Sequence, residues 1–232
     1  MVWISQLAGA YALTLVSSTS PLPSEASIHA PASHAELPTL WAGHQVTFGQ
    51  RKVPFKGKVQ TRTDSFVIAR LDRDGDLLKL EQTACQVRFS KVAGVRVHMD
   101  ADALPQTRMV FSGREDSAEL AGRSIVAWSS ADIDEDGNPG MTVRVDAPIC
   151  SGELYVANRS KTRATATVEP QRIEGKARVR VKQQILGAKG ACLSAVAKDT
   201  DENQSGPFAY VPVPEGSTCA TLMAQGWPVS AG

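Results

Sequence analysis

No lysine or arginine occurs before Arg51, and the chain of 232 residues holds only four histidines and four cysteines. Aromatic residues amount to 6%, too sparse for a stacking platform that would grip single-stranded nucleic acid. No stretch approaches the roughly 20 consecutive apolar residues of a membrane-spanning helix. Net charge is +1, so no global field steers the chain to nucleic acid or an anionic membrane, and no nucleic-acid partner is expected. Catalytic signatures are missing as well: there is no GxSxG elbow, HExxH pair, P-loop or CxxC. His29 and His34 fall in a proline-rich stretch, which leaves His44 and His98 as lone strand histidines, a pattern that reads as structural. The expectation is a protein that is not an enzyme.

What the chain does contain is ordinary for a globular domain, with 42% apolar and 21% charged residues. The cysteines, Cys85, Cys150, Cys192 and Cys219, are even in number and lack zinc-ligand spacing, which indicates two disulfides in an oxidising compartment. Three connectivities are open; Cys85–Cys150 with Cys192–Cys219 is favoured, because the second pair closes a short C-terminal loop. Residues 1–16 read as a signal-peptide core (Val2 to Val16), although the usual basic flank is missing. Ser24–Ala26 or Ile28–Ala30 would be the cleavage site. Residues 17–38, with Pro21, Pro23, Pro31 and Pro38 and few large apolar groups, read as a flexible linker. Residues 39–229 then form a single β-rich domain, periplasmic or extracellular, with no transmembrane span in the mature chain.

Within that domain the hydrophobic period is two. Ser65–Gln82 predicts a hairpin turning at Asp74-Gly75, with Leu71 opposite Leu78 and Ala69 opposite Leu80. Further strands are predicted over 86–92, 94–99, 141–147, 152–158, 164–169, 176–185, 191–199 and 207–214. Residues 100–106 read as a helical turn, and 217–226 as a short C-terminal helix capped by Ser217 and stopped by Gly226. The fold class is all-β, an antiparallel β-barrel or sandwich with one short C-terminal helix. Thr61–Cys85 and Thr162–Cys192 share an order of Thr-Arg, strand, glycine turn, strand and Ala-Cys, which two duplicated halves would produce.

Four segments, KVPFKGKVQTRTDSFVIA, the DxDxDGxPGMTV loop, APICSGELYVANR and a C-terminal GSTC…QGWPV, together resemble an uncharacterised bacterial family of secreted β-rich proteins. The resemblance spans about residues 40–229 and implies fold and export, with no activity attached. LWAGHQV (Leu40 to Val46) also resembles the first strand of lipocalin-like barrels, with Trp41 preceding Gly43 where that pattern has glycine first. This second likeness implies a carrier of a small apolar ligand.

The most pointed chemistry lies in DIDEDGNPGMTV. Asp132, Asp134 and Asp136 stand at alternate positions, followed by Gly137 for a sharp turn and Asn138 for a backbone carbonyl, a pattern suited to Ca2+. Val143 stands where an EF-hand carries its bidentate glutamate, and the flanks read as strands, so this is no EF-hand. A missing ligand would come from Glu135, Asp146, Asp199 or Asp201, and affinity would be weak. The competing reading is an acidic hairpin turn. DRDGD (72–76) is explained by its own turn, and KDTDENQSG (198–206) lacks the central glycine.

Lys176, Arg178, Arg180 and Lys182 put four cations on one strand face. Such a face suits a polyanion, and Lys52, Lys56, Lys58 and Arg62 would extend it; a solvated wall with acidic cross-strand partners, or an edge guarded by lysine, looks the same. The functional expectation is an exported non-catalytic domain of structural or binding role, with calcium as the candidate cofactor. A lipocalin-like carrier and an enzyme of unidentified class are the alternatives, and the partner, a small apolar ligand or another surface molecule, stays open.

Overall fold

Alternation of inward and outward residues persists through ten strands in the computed structural model, which describes residues 37–53, 57–113 and 119–231. The signal-peptide core and nearly all of the linker lie outside the described residues. The strands are β1 (Leu40–Val53), β2 (Gly57–Asp74), β3 (Leu77–Phe89), β4 (Arg96–Met99), β5 (Thr107–Ser112), β6 (Leu120–Trp128), β7 (Met141–Asp146), β8 (Gly152–Glu169), β9 (Arg172–Lys189) and β10 (Thr200–Pro212). Two short helices, α1 (Ala191–Val196) and α2 (Cys219–Gln225), complete the set.

Of the two architectures expected, the chain forms the barrel. β1, β2, β3, β5, β6, β8, β9 and β10 each pair antiparallel with the next, and β10 closes on β1. Closure leaves these eight strands no free edge, which removes a template for aggregation. β8 is long enough to hold two partners on one flank: residues 158–166 pair with β6 and 152–156 with β7, which in turn carries β4. Hairpins β2–β3 and β8–β9 lie opposite each other in this ring, where the sequence echo falls. Every eight-stranded meander has that symmetry, so the topology adds nothing to the case for duplication.

One end of the barrel is filled. Trp41, Leu71, Leu78, Leu80, Phe111, Ile173, Phe208 and Tyr210 interdigitate there with Ala69, Ala164, Ala166 and Ala177. An interior of eight strands is just wide enough for side chains to occupy it, and small residues must face large ones. A Cβ on Gly43 would run into the Tyr210 ring, and one on Gly122 would meet Phe111. Toward the other end the inward positions become shorter and more polar, with Thr47, Thr63, Ser65, Gln82, Ser124, Ser160, Thr162 and Gln204 interleaved with Val126, Val179 and Val181. A second apolar cluster sits on the outer wall, where Trp227, Val229 and Ala231 cover Val46 and Ala209.

Several expectations need correction. The β2–β3 hairpin turns at Gly75-Asp76, so Leu71 pairs with Leu80 and Ala69 with Gln82. A shift of two positions keeps each side chain on its face, which is why the apolar alternation could not distinguish the registers. Segments 152–158 and 164–169 are one strand. Residues 191–199 begin as helix α1 instead of a strand: Ala191, Ser194 and Ala195 demand little burial, and Leu193 alone is buried. Residues 100–106 form bends and turns, and the α2 cap is Thr218, whose side chain and that of Thr221 exchange hydrogen bonds with each other's backbone N–H.

The disulfides join Cys85 to Cys219 and Cys150 to Cys192. The favoured pairing fails because proximity along the chain is the wrong guide in a closed ring. The β7–β8 loop carries Cys150 beside the end of β9, and Cys219 at the start of α2 is bridged to Cys85 of β3. Both bridges mark an oxidising, exported environment. Among the described residues no helix is long and apolar enough to cross a membrane.

Candidate functional site

Period two sends Lys176, Arg178, Arg180 and Lys182 outward from β9 while Ala177, Val179 and Val181 face in. The strand next to it repeats the pattern. On β8, Arg159, Lys161 and Arg163 are exposed and Ser160 and Thr162 face in. The register sets Arg159 opposite Lys182, Lys161 opposite Arg180 and Arg163 opposite Arg178. On the far side of β8, β6 sets Arg123 opposite Arg163. Three arginines thus stand abreast across three strands, where an ordinary solvated wall alternates in sign.

Among the described residues, the acids nearest the wall are Asp201 on the β10 border and Glu174 beyond Lys176 on β9, the latter paired with Arg172. Asp201 accepts two hydrogen bonds from the Arg180 guanidinium, at 2.9 and 2.8 Å, and lies 3.5 Å from Lys182. The Arg180 hydrogen bonds hold the Asp201 carboxyl down at about 2. Among the described residues Arg123, Arg159, Lys161, Arg163, Lys176 and Arg178 make no ion pair. The proposed extension of this surface is not contiguous: Lys58 and Arg62 sit on β2, separated from β9 by β1 and β10. Arg62 is also committed to Asp64 through bonds of 2.9 and 2.7 Å, and Lys56 lies outside the described residues.

The acidic loop joins β6 to β7 and does gather Asp132, Asp134 and Asp136, with one carboxylate oxygen of each within 4.8 Å of the others. Much of their accepting capacity is used locally. Asp132 accepts from the N–H groups of Asp136 and Gly137, Asp136 from that of Asn138, and Asp134 Oδ2 from that of Thr142. The nearby Thr142 hydroxyl and the Asn138 N–H hold the Asp136 carboxyl below its usual range, although Thr142 Oγ1 is buried without a hydrogen-bond partner of normal geometry. Asp134 Oδ1 is different: it is buried and unpartnered. The four candidate closing ligands do not join the cluster. Asp146 pairs with His98 at 3.4 Å, Asp199 accepts from the Ile185 N–H, Asp201 holds Arg180, and Glu135 is the corner of the loop at φ +54°.

His44 is structural. Its Nδ1 accepts the Ala231 N–H at 3.0 Å, its Nε2 lies 3.1 Å from Asp64, and its ring stacks on Phe66. Both nitrogens are thereby occupied, Nδ1 in fastening the C-terminal segment together with the Trp227 indole, which donates to the Gly43 carbonyl. A broad, open cleft of about 890 Å³ lies between the acidic loop and the cationic wall, lined by Pro105, Trp128, Ile133, Asn158, Arg159 and Lys182.

No family model matches the chain, and no curated protein matches it. Among solved structures, the chain has a likeness to the Pseudomonas aeruginosa protein OccK2 (OpdF) in complex with glucuronate. Identity is 11% and the TM-score 0.16, over 76% of this chain and 61% of that one. So low a score carries no argument about fold or function. The outer wall speaks independently: a lipid-facing barrel carries an apolar band outside, whereas β8 and β9 here carry exposed lysine and arginine.

Proposed function

We propose that the chain is an exported, non-catalytic binding barrel, periplasmic or extracellular, whose working surface is the cationic wall of β6, β8 and β9. The observation that carries this reading is the like-charge register. Cations placed directly opposite one another across strands work against the sheet, and a wall needed only for solubility would alternate sign. With a net charge of +1, the wall is a concentration of charge that the rest of the surface balances. The test is retention on a sulfonate exchanger at neutral pH. The wall predicts retention far beyond that of a protein one charge from neutrality, and its loss in Arg123→Thr/Arg163→Thr/Arg178→Thr beyond the three charges removed. Passage of the wild type straight through the column would sink the reading.

A second reading concerns stability. The buried, unpartnered Asp134 Oδ1 supports weak Ca2+ binding by Asp132, Asp134 and Asp136, with the Asn138 carbonyl as a further donor. At millimolar calcium and a Kd of about 10⁻⁴ M, the gain is about 1.4 kcal/mol. Calorimetry should show a melting temperature raised by calcium in the wild type and indifferent to it in Asp134→Ala; no shift in the wild type removes the ion from the account. A carrier of a small apolar ligand gains little support, because the open half of the interior interleaves Val126, Val179 and Val181 with threonine, serine and glutamine.

A further inference from the structure

We propose that the cationic wall binds an extended anionic polysaccharide through its sulfate or phosphate esters. This partner assignment rests on the surface-binding reading above and adds to it the chemistry of what is bound. The wall is dominated by arginine (Arg123, Arg159, Arg163, Arg178 and Arg180), whose planar fork of donors pairs with sulfate and phosphate oxygens as it does with carboxylate, where lysine offers a point charge. Its regularity suits a polymer. Neighbouring strands lie about 4.8 Å apart and outward residues recur about every 6.8 Å along a strand, so a repeating chain of anions meets a cation at each step. Its shape also suits a polymer: cations spread over the outside of a barrel enclose no small molecule, whereas a long chain can lie across them.

The rest of the surface narrows the class. No outward residue of the wall on β6, β8 or β9 is aromatic (Ala121 to Ala127, Arg159 to Thr167, Lys176 to Gln184), so unstacked bases find no platform. A broad sheet wall also cannot enter a major groove, which admits a helix or a two-stranded ribbon. Ile125, 58% exposed beside Arg123 and opposite Lys161, offers an apolar contact for the C–H face of a sugar ring. Asp201 pairs with Arg180 and lies beside Lys182 at the β10 border, offsetting one of their two charges, which centres the unpaired charge on the Arg123–Arg163–Arg178 row. An exported protein meets such glycans outside the cell.

The full chain should be titrated with heparin and phosphomannan as ester-bearing probes, against hyaluronate, polyglutamate and oligothymidylate, over a range of salt. The ester-bearing glycans should bind most tightly per charge, and whichever of the two binds better identifies sulfate or phosphate. With six cations engaged, log K should fall with log salt at a slope of magnitude about 4. Arg163→Thr should weaken binding about tenfold and lower the slope by about 0.7. Arg163→Lys, which keeps the charge, should keep the slope but not the full affinity. Equal or tighter binding of polyglutamate or oligothymidylate overturns the assignment, as does indifference to Arg163→Thr in a variant that melts like the wild type. If retention on the exchanger depends on the arginine row while both ester-bearing glycans fail, the surface reading stands and the polysaccharide falls.

Discussion

Replacing Cys85 and Cys219 by alanine should be among the most damaging changes to this barrel outside its core. Cys85 lies where the β2–β3 register slips, between pairs Phe66/Gln86 and Val67/Ala84, and Cys219 opens α2. Their bond closes a loop of 134 residues. Chain-entropy arithmetic puts such a crosslink at about 5 kcal/mol, against about 4 kcal/mol for Cys150–Cys192 with its 42-residue separation. Domains have about 5–15 kcal/mol in total, so either loss removes about a quarter or more of it. The first also has a local consequence. α2 spans seven residues with only Leu222 buried, too short to persist without its tether. Guanidinium titration of Cys85→Ala/Cys219→Ala should show a loss of about 3–5 kcal/mol, and hydrogen exchange should show α2 amides unprotected while β8 and β9 stay protected. A loss under about 1 kcal/mol, or unchanged protection of α2, would refute the reasoning.

Two further outcomes follow from the interior and the charges. Gly43→Ala forces a methyl against the Tyr210 ring and should lose about 1–3 kcal/mol by thermal melting; Gly43→Ala/Tyr210→Leu should recover much of it, and an unperturbed single variant contradicts the packing described. Asp64 and Asp201 are held below the usual carboxylate range, chiefly by hydrogen bonds from Arg62 and Arg180 respectively. Because both are more acidic folded than unfolded, their contribution is present above about pH 4 and is lost as pH falls through their lower folded values, toward about 2 for Asp201. Asp64→Asn/Asp201→Asn should flatten the acid limb of stability against pH, and an identical limb would count against both ion pairs.

Period-two alternation made the β-rich fold legible where the interior is apolar: Leu78 and Leu80 against Lys79, or Val179 and Val181 against Arg180. It faltered where the barrel interior turns polar. Between Asn158 and Ala164 the inward residues are Ser160 and Thr162, so nothing apolar marked the strand, and Arg159, Lys161 and Arg163 escaped notice as outward positions. Half the cationic wall was therefore readable from β9, and the half that gives it meaning was not. Which strand lies beside β9, and in what register, depends on closing the ring, and so do the disulfide partners. The acidic loop was legible because its residues are local, whereas its missing closing ligand is a fact about distant loops. The helix at Ala191 was hidden by an alternating pattern in a segment that buries almost nothing.

One substitution tests the claim that the wall is a working surface maintained against the stability of the sheet. Arg163 faces Arg123 and Arg178, so Arg163→Glu turns two repulsions into two attractions, together about 1 kcal/mol for exposed cross-strand pairs. In low salt the variant should melt about 2–4 °C above the wild type, with the gain vanishing near 1 M salt, where screening acts within about 3 Å. The same variant should lose at least about tenfold in affinity for heparin. Stability and binding moving in opposite directions is the result the account requires. A variant that melts lower in low salt, or that binds heparin as the wild type does, would contradict it.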